Sequence, residues 1–456
     1  MRRGSQASDP DALLRLHETR PERYPVLLES VGGEPDLGRY DLLFALPGAS
    51  LVLHPDGTLD GPWSAAGDGR RFLDALDAWW LAEAPASDAA DTAPFRGGWF
   101  LYLGYELAAE IEPTLDMPRS RLPRAIAWRM QGVVVRDRAS GDLALHAEPG
   151  LQERLRAELA ADVADERAQA FSRPPGQPSV AGDVEEDPPE RFLHGVEDVL
   201  EAIGRGDVYQ ANLSRGWRAR LPAGATPTQL YRRLRTANPA PFAGCARLPG
   251  FFLLSSSPER LLRIRGRTAS TRPIAGTRPR GESPAADASL RAELGLNEKE
   301  RAEHVMLVDL GRNDLGRVCR GGTVQVDEFM TIESYATVHH IVSNVRGELR
   351  PEVTPGETIA AVFPGGTITG CPKVRCMQLL AELEGAPRDA YTGSMGYLGR
   401  DGALDLNILI RTLTVCDGVI EFRTGAGIVA DSRPEQELAE TRAKARGLLR
   451  ALGSEP

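Results

Sequence analysis

Apolar and polar positions alternate through much of the first third of the chain, which predicts strands separated by Gly and Pro turns. Residues 40–57 (YDLLFALPGASLVLHPDG) and 125–150 (AIAWRMQGVVVRDRASGDLALHAEPG) each read as a hairpin. Residues 82–94 are polar and Ala-rich and read as a loop. Residues 94–108 (PFRGGWFLYLGYELA) read as a strand packed on others, with Gly97 and Gly98 allowing close backbone approach. A helical period then appears at 190–205, where Phe192, Val196, Val199, Leu200 and Ile203 form one face.

Beyond that helix, 207–221 reads as a strand and 251–281 as antiparallel strands with tight turns. A helix begins near Glu300, and 323–349 is β-rich. The Gly-rich 365–367 stretch runs into a helix with Pro372 near its first turn. Residues 405–415 and 419–430 read as the last strands, and 431–451 as a final helix. Helices and strands do not alternate regularly, so the expected fold class is α+β, with large antiparallel sheets flanked by helices.

With 456 residues the chain exceeds one ordinary core. Residues 166–190, rich in Pro, Gly and acid, read as a linker between an N-terminal region (1–165) and a larger region (191–456). A formal charge of −10 argues against a nucleic-acid surface, so an anionic substrate needs a local cationic or metal-assisted site. The five cysteines show neither CxxC nor zinc spacing, which suggests reduced thiols in the cytoplasm. No apolar run approaches the ~18 residues of a membrane span.

Several residues stand out chemically. In the final helix Glu437, Glu440 and Lys444 fall at i, i+3 and i+7, on one face. Glu300 and Glu303 repeat half of that pattern on an earlier helix. The two pairs suit either solvated faces with ion pairs or a shared hard cation such as Mg²⁺. The Gly365-Gly366-Thr367 loop offers backbone N–H groups to an anion, or is a tight turn. Arg411 interrupts an apolar strand, Gly425 and Gly427 leave room for a ligand, and Glu259 follows a turn as a candidate acid. Alternation sends His339 and His340 to opposite faces, one towards core and one towards a site.

In order, SSSPE, TRPIAGTRPRG, EHVMLVDLGRND, VHHIVSNVRGEL, FPGGTITGCPKVR, IRT and GAGIVADSRPEQELAET with a following KA resemble the chorismate-utilising enzymes, densely over 190–456. That family includes anthranilate, aminodeoxychorismate, isochorismate and salicylate synthases. The resemblance implies that Glu303 and Glu440 ligate Mg²⁺ directly, with Glu300 and Glu437 holding its water. Tyr391, Arg411, Gly425, Gly427 and Lys444 would grip a substrate carboxylate. Glu259 would protonate the departing C4 hydroxyl, His340 would be the active-site histidine, and Gly366 and Thr367 would belong to the substrate loop.

Gln210 stands where isochorismate-forming relatives carry a lysine base, so the resemblance favours ammonia over water. The amidotransferase motif GxCxG is missing, which implies a separate glutamine amidotransferase subunit. Most motifs look like aminodeoxychorismate synthase component I, of para-aminobenzoate and folate biosynthesis. In Pro273-Ile274-Ala275-Gly276-Thr277, Ala275 replaces the lysine that many of those enzymes use covalently. It is shared with anthranilate synthases, and LLES (27–30) resembles their tryptophan-pocket motif.

Overall fold

The computed structural model describes Asp9 and residues 11–32, 38–63, 71–84, 93–170, 183–335 and 338–454. All strand pairings among these residues are antiparallel, and helices pack against the sheet they form. The fold class is therefore α+β, as expected.

The sheet is best followed outwards from the strand Ala125–Asp137, which pairs with Tyr40–Leu53 on one side and Gly98–Leu103 on the other. One arm continues through Val26–Glu29, Phe242–Leu248, Phe251–Ser257, Thr412–Cys416 and Val419–Ile428 to Gln210–Arg220. The other continues through Ser394–Gly399, Leu404–Asn407, Arg260–Arg265, Thr268–Thr271 and Val338–Glu348 to Gln325–Ser334. Strands from residues before 165 and after 191 are thus hydrogen-bonded to one another in both arms.

Gly98–Leu103 (GWFLYL) is buried along its whole length. A continuous apolar run suits a strand covered on both faces. Trp99, Phe100 and Tyr102 are fully buried there, and Gly98 lies so close to the neighbouring strand that a Cβ would strike the Leu398 carbonyl.

Two strand expectations are corrected here. Residues 40–57 do not form a hairpin within themselves. Tyr40–Leu53 is one 14-residue strand, bulged between Pro47 and Ser50, because it pairs with Ala125–Asp137 on both sides of the bulge. The turn comes later, where His54 N–H bonds the Thr58 carbonyl. The strand expected over 94–108 ends at Leu103 and gives way to helical turns. Residues 166–170 finish the helix Gln152–Ala170, and Glu185–Glu186 pair with Arg218 and Trp217; the rest of the proposed linker between them lies outside the described residues. Most of the loop expected over 82–94 also lies outside them, and Glu83 ends a helix.

The hairpin at 125–150 and the helices Pro189–Gly204, Lys373–Glu384 and Pro434–Leu452 form as expected. A helix the sequence reading missed, Pro284–Leu296, is capped by Ser283, whose side chain accepts from Ala286 N–H. No described helix is long and apolar enough to cross a membrane, and all five cysteines are free thiols.

Candidate active site

Two short crossings carry the chain between the sheet arms, and a charged candidate residue sits in each. It leaves one arm at Ser257 and enters the other at Arg260, with Glu259 between. It leaves the second arm at Asn407 and re-enters the first at Thr412, with Arg411 as the last residue of the crossing. Ile408 N–H donates to the Glu259 carbonyl at 3.0 Å and ties the crossings together. The single strand expected over 405–415 is therefore two strands. Arg411 breaks it in a left-handed conformation (φ +52°), held by Ser256 N–H on its carbonyl at 3.1 Å. Such a conformation costs a non-glycine residue about 1 kcal/mol or more.

Glu259 is buried, with 5% exposure. Its Oε1 accepts from Thr367 Oγ1 at 2.7 Å, and Thr367 lies in the short helical turn Gly366–Ile368. Burial pushes the Glu259 carboxyl up to about 7; Thr367, the Ile274 backbone N–H, Arg411 and Lys444 pull the other way. A carboxyl poised near neutral pH suits proton donation to a leaving group.

The two histidines take opposite faces of Val338–Glu348, as alternation predicted. His339 is fully buried: Nδ1 meets Ser334 Oγ at 2.8 Å and Nε2 meets Asp287 Oδ1 at 3.0 Å. His340 meets the Gly276 carbonyl at 3.1 Å and Thr277 Oγ1 at 3.0 Å through Nδ1, and packs edge-on to Tyr335. Burial lowers His340 to about 4, assisted by the charges of Arg411 and Lys444, so its imidazole is neutral at physiological pH.

Gly425 and Gly427 face Ser214 and Asn212 across the pairing of Val419–Ile428 with Gln210–Arg220. A Cβ at Gly425 would lie 2.7 Å from Asn212 Oδ1 and 2.8 Å from the Tyr391 hydroxyl; one at Gly427 would lie 2.6 Å from Gln210 Nε2. Lys444 reaches back from Pro434–Leu452 to donate to the Gly425 carbonyl at 2.9 Å, and pairs with Glu440 at 2.8 Å. Burial raises the Tyr391 phenol to about 12, so it stays protonated. Gln210 is buried, and its Oε1 has no hydrogen-bond partner among the described residues. The half-buried Arg411 guanidinium likewise makes no side-chain hydrogen bond or ion pair among them. Burial lowers its pKa and Glu259 opposes the shift, so an anion placed there would compensate an under-paired charge.

Ala275 and Thr277 flank a bulge in Ile274–Pro279, where it pairs with Val338–Glu348. At the bulge, Gly276 has φ +63°, and a Cβ there would collide with Glu300 Oε2. Gly366 packs as closely on Leu310, the physical reason for glycine in that loop.

The four carboxylates singled out for Mg²⁺ are all hard oxygen donors, which is the chemistry that ion takes. In this arrangement Glu300 pairs with Arg278 at 2.7 Å and Glu440 with Lys444 at 2.8 Å. Among the described residues, no three of His, Cys, Asp or Glu gather where they could hold a metal. The second oxygen of Glu300, Oε2, is buried without a hydrogen-bond partner, a spare acceptor at the foot of the Glu298–Gly316 helix.

Sequence reading missed Asn212, whose Nδ2 donates to the Thr367 carbonyl at 3.2 Å. It also missed the buried pair Glu384 and Arg388, spaced i, i+4 across a helix end. Nothing in that spacing separates it from a solvated surface pair.

A buried carboxyl near neutral pH, an under-paired guanidinium and glycine-lined strands define an enzyme site for a small anion. The profile of the chorismate binding enzyme family matches residues 57–450, and the chain belongs to that family. It is 38% identical to anthranilate synthase component 1 of Streptomyces coelicolor, over 95% of this chain and 84% of the relative. It is 49% identical to aminodeoxychorismate synthase component 1 of Bacillus subtilis, over 57% of this chain and 55% of that protein. The crystal structure of anthranilate synthase component I from Streptococcus pneumoniae TIGR4 superposes with a TM-score of 0.78 and 30% identity, covering 90% of this chain and 92% of that one.

Proposed function

We propose that this chain is an aminodeoxychorismate synthase component I, aminating chorismate with ammonia to 4-amino-4-deoxychorismate. The observation that carries amination is the Gln210 side chain. A neutral amide cannot deprotonate water, whereas its buried Oε1, without a hydrogen-bond partner among the described residues, is an acceptor that can take an N–H of ammonia. The chorismate dianion is held at one carboxylate by Arg411, with Tyr391, Lys444 and the Gly425 and Gly427 backbone around it. Glu259 gives its proton to the C4 oxygen, which leaves as water, and Thr367 orients that carboxyl. His340 stays neutral beside the ring. With Ala275 unable to form an adduct, ammonia adds at C2 as C4–O breaks, and a second ammonia attacks C4 as the first departs. Ammonia comes from a separate glutamine amidotransferase subunit.

Mg²⁺ is the proposed cofactor: Glu303 and Glu440 would hold it directly, and Glu300 and Glu437 would hold its water. When bound, it would orient the substrate's other carboxylate.

Ala275 favours a second reading. If reaction stops after ammonia attacks C2, elimination of pyruvate gives anthranilate, and the chain is an anthranilate synthase component I. Incubation with chorismate, Mg²⁺ and an ammonium salt, without added lyase, separates the two. Aminodeoxychorismate without pyruvate is expected; fluorescent anthranilate with equimolar pyruvate overturns the C4 assignment.

A further inference from the structure

The Arg388 guanidinium joins the elements that carry the candidate substrate-binding residues. All five of its N–H groups are engaged. Nε donates to Glu384 Oε2 at 2.8 Å, and Nη2 donates to Glu384 Oε1 at 2.6 Å and to the Asn212 carbonyl at 2.7 Å. Nη1 donates to the Ile368 carbonyl at 3.2 Å and to Thr392 Oγ1 at 3.3 Å. The guanidinium also lies against two aromatic rings, with its carbon 4.7 Å from the Tyr105 centroid and 5.6 Å from that of Tyr391. Arg388 is 3% exposed.

The partners are telling. Ile368 follows Thr367, the residue bonded to Glu259. Asn212 lies two residues beyond Gln210 and itself donates to the Thr367 carbonyl. Tyr391 borders Gly425. Glu384 carries the connection onwards, accepting from both the backbone N–H and the hydroxyl of Ser214, the residue opposite Gly425. Lysine, with three donors on a flexible stem, cannot make this planar set.

We infer that Arg388, oriented by Glu384, is a positioning residue for the candidate active site: it sets the Gly366–Ile368 turn against Gln210–Arg220, and so fixes the Thr367 hydroxyl on the Glu259 carboxyl. This deepens the proposed function and rests on Glu259 being its acid.

The test is Arg388→Lys in the full chain, with Arg121→Lys as the comparison. Arg121 is also ion-paired, to Asp389 and Glu421, but lies at the surface. Circular dichroism establishes folding. Chorismate consumption, whatever the product, gives kcat and KM, and ¹³C NMR follows the Glu259 carboxyl titration. In folded R388K, kcat is expected to fall at least tenfold with KM within about threefold, and the Glu259 midpoint to rise by half a unit or more. Unchanged kcat and an unchanged midpoint overturn the inference. If R388K does not fold, Thr392→Val removes one of the five bonds and decides the matter. A threefold loss of kcat with a raised midpoint supports the inference; wild-type values for both overturn it. Should the wild-type chain consume no chorismate, the proposed function falls, while the NMR midpoints still decide whether Arg388 positions Glu259.

Discussion

Thr367 and Glu259 are 108 residues apart in sequence and 2.7 Å apart in space. The hydroxyl of one is the hydrogen-bond donor to the side chain of the other. Because that bond favours the ionised carboxyl, it holds Glu259 lower than burial alone would. Replacing Thr367 with Val removes the donor at nearly constant volume. The pH at which kcat/KM falls should move above 7, with kcat lowered about tenfold at neutral pH. A pH–rate profile of the two enzymes measures both.

Glu259→Gln should abolish the proton transfer and reduce kcat by a factor of about 10²–10⁴. It should also stabilise the fold in alkali. The folded carboxyl titrates near 7 and the unfolded one near 4.5. The protonated form therefore contributes stability that is full below pH 4.5 and is lost as pH rises through 7. Above pH 7 that loss amounts to roughly 3 kcal/mol. The glutamine variant lacks it, so urea unfolding at pH 8 should show the variant more stable, and the difference should vanish at pH 4.

Arg411→Gln tests the carboxylate grip. A charge-assisted hydrogen bond of about 1.5–3 kcal/mol corresponds to a roughly 10–100-fold weakening of chorismate binding. Since the guanidinium makes no hydrogen bond or ion pair with the described residues, its removal should leave the thermal midpoint unchanged or raised. Equilibrium titration and a melting curve on the same sample report the two effects. A lower midpoint with unaltered binding would make Arg411 structural.

Arg278→Ala bears on the metal. Arg278 occupies Glu300 Oε1 at 2.7 Å and also pairs with Glu293. Freed of that cation, Glu300 should offer both oxygens, and Mg²⁺ affinity by calorimetry should rise several-fold. Equal or weaker binding would remove Glu300 from the metal's surroundings.

Periodicity exposed much of this molecule. The two faces of the His339–His340 pair follow from strand alternation alone, and the final helix from the spacing of Glu437, Glu440 and Lys444. Three features were illegible for separate physical reasons. The hairpin read over 40–57 is a single strand, because a long partner strand pairs on both sides of a bulge at Pro47–Ser50. Arg411 sits in an apolar run whose continuity hides a left-handed break. Glu384 and Arg388 resemble any solvated i, i+4 pair, because burial is a property of the assembled fold and not of the spacing.

The two crossings between the sheet arms also bear on how such a catalyst can diversify. The proposed leaving-group acid Glu259 belongs to one crossing and the proposed anion anchor Arg411 to the other, tied by a main-chain bond that no side-chain replacement removes. Gln210, the residue proposed to meet the nucleophile, begins the strand Gln210–Arg220 of one arm, outside both crossings. On the proposed function, departure and anchoring are built into the connectivity, while the identity of the attacking group rests on an exchangeable side chain. A lineage with this architecture can change what it adds to its substrate without rebuilding how it lets the hydroxyl go.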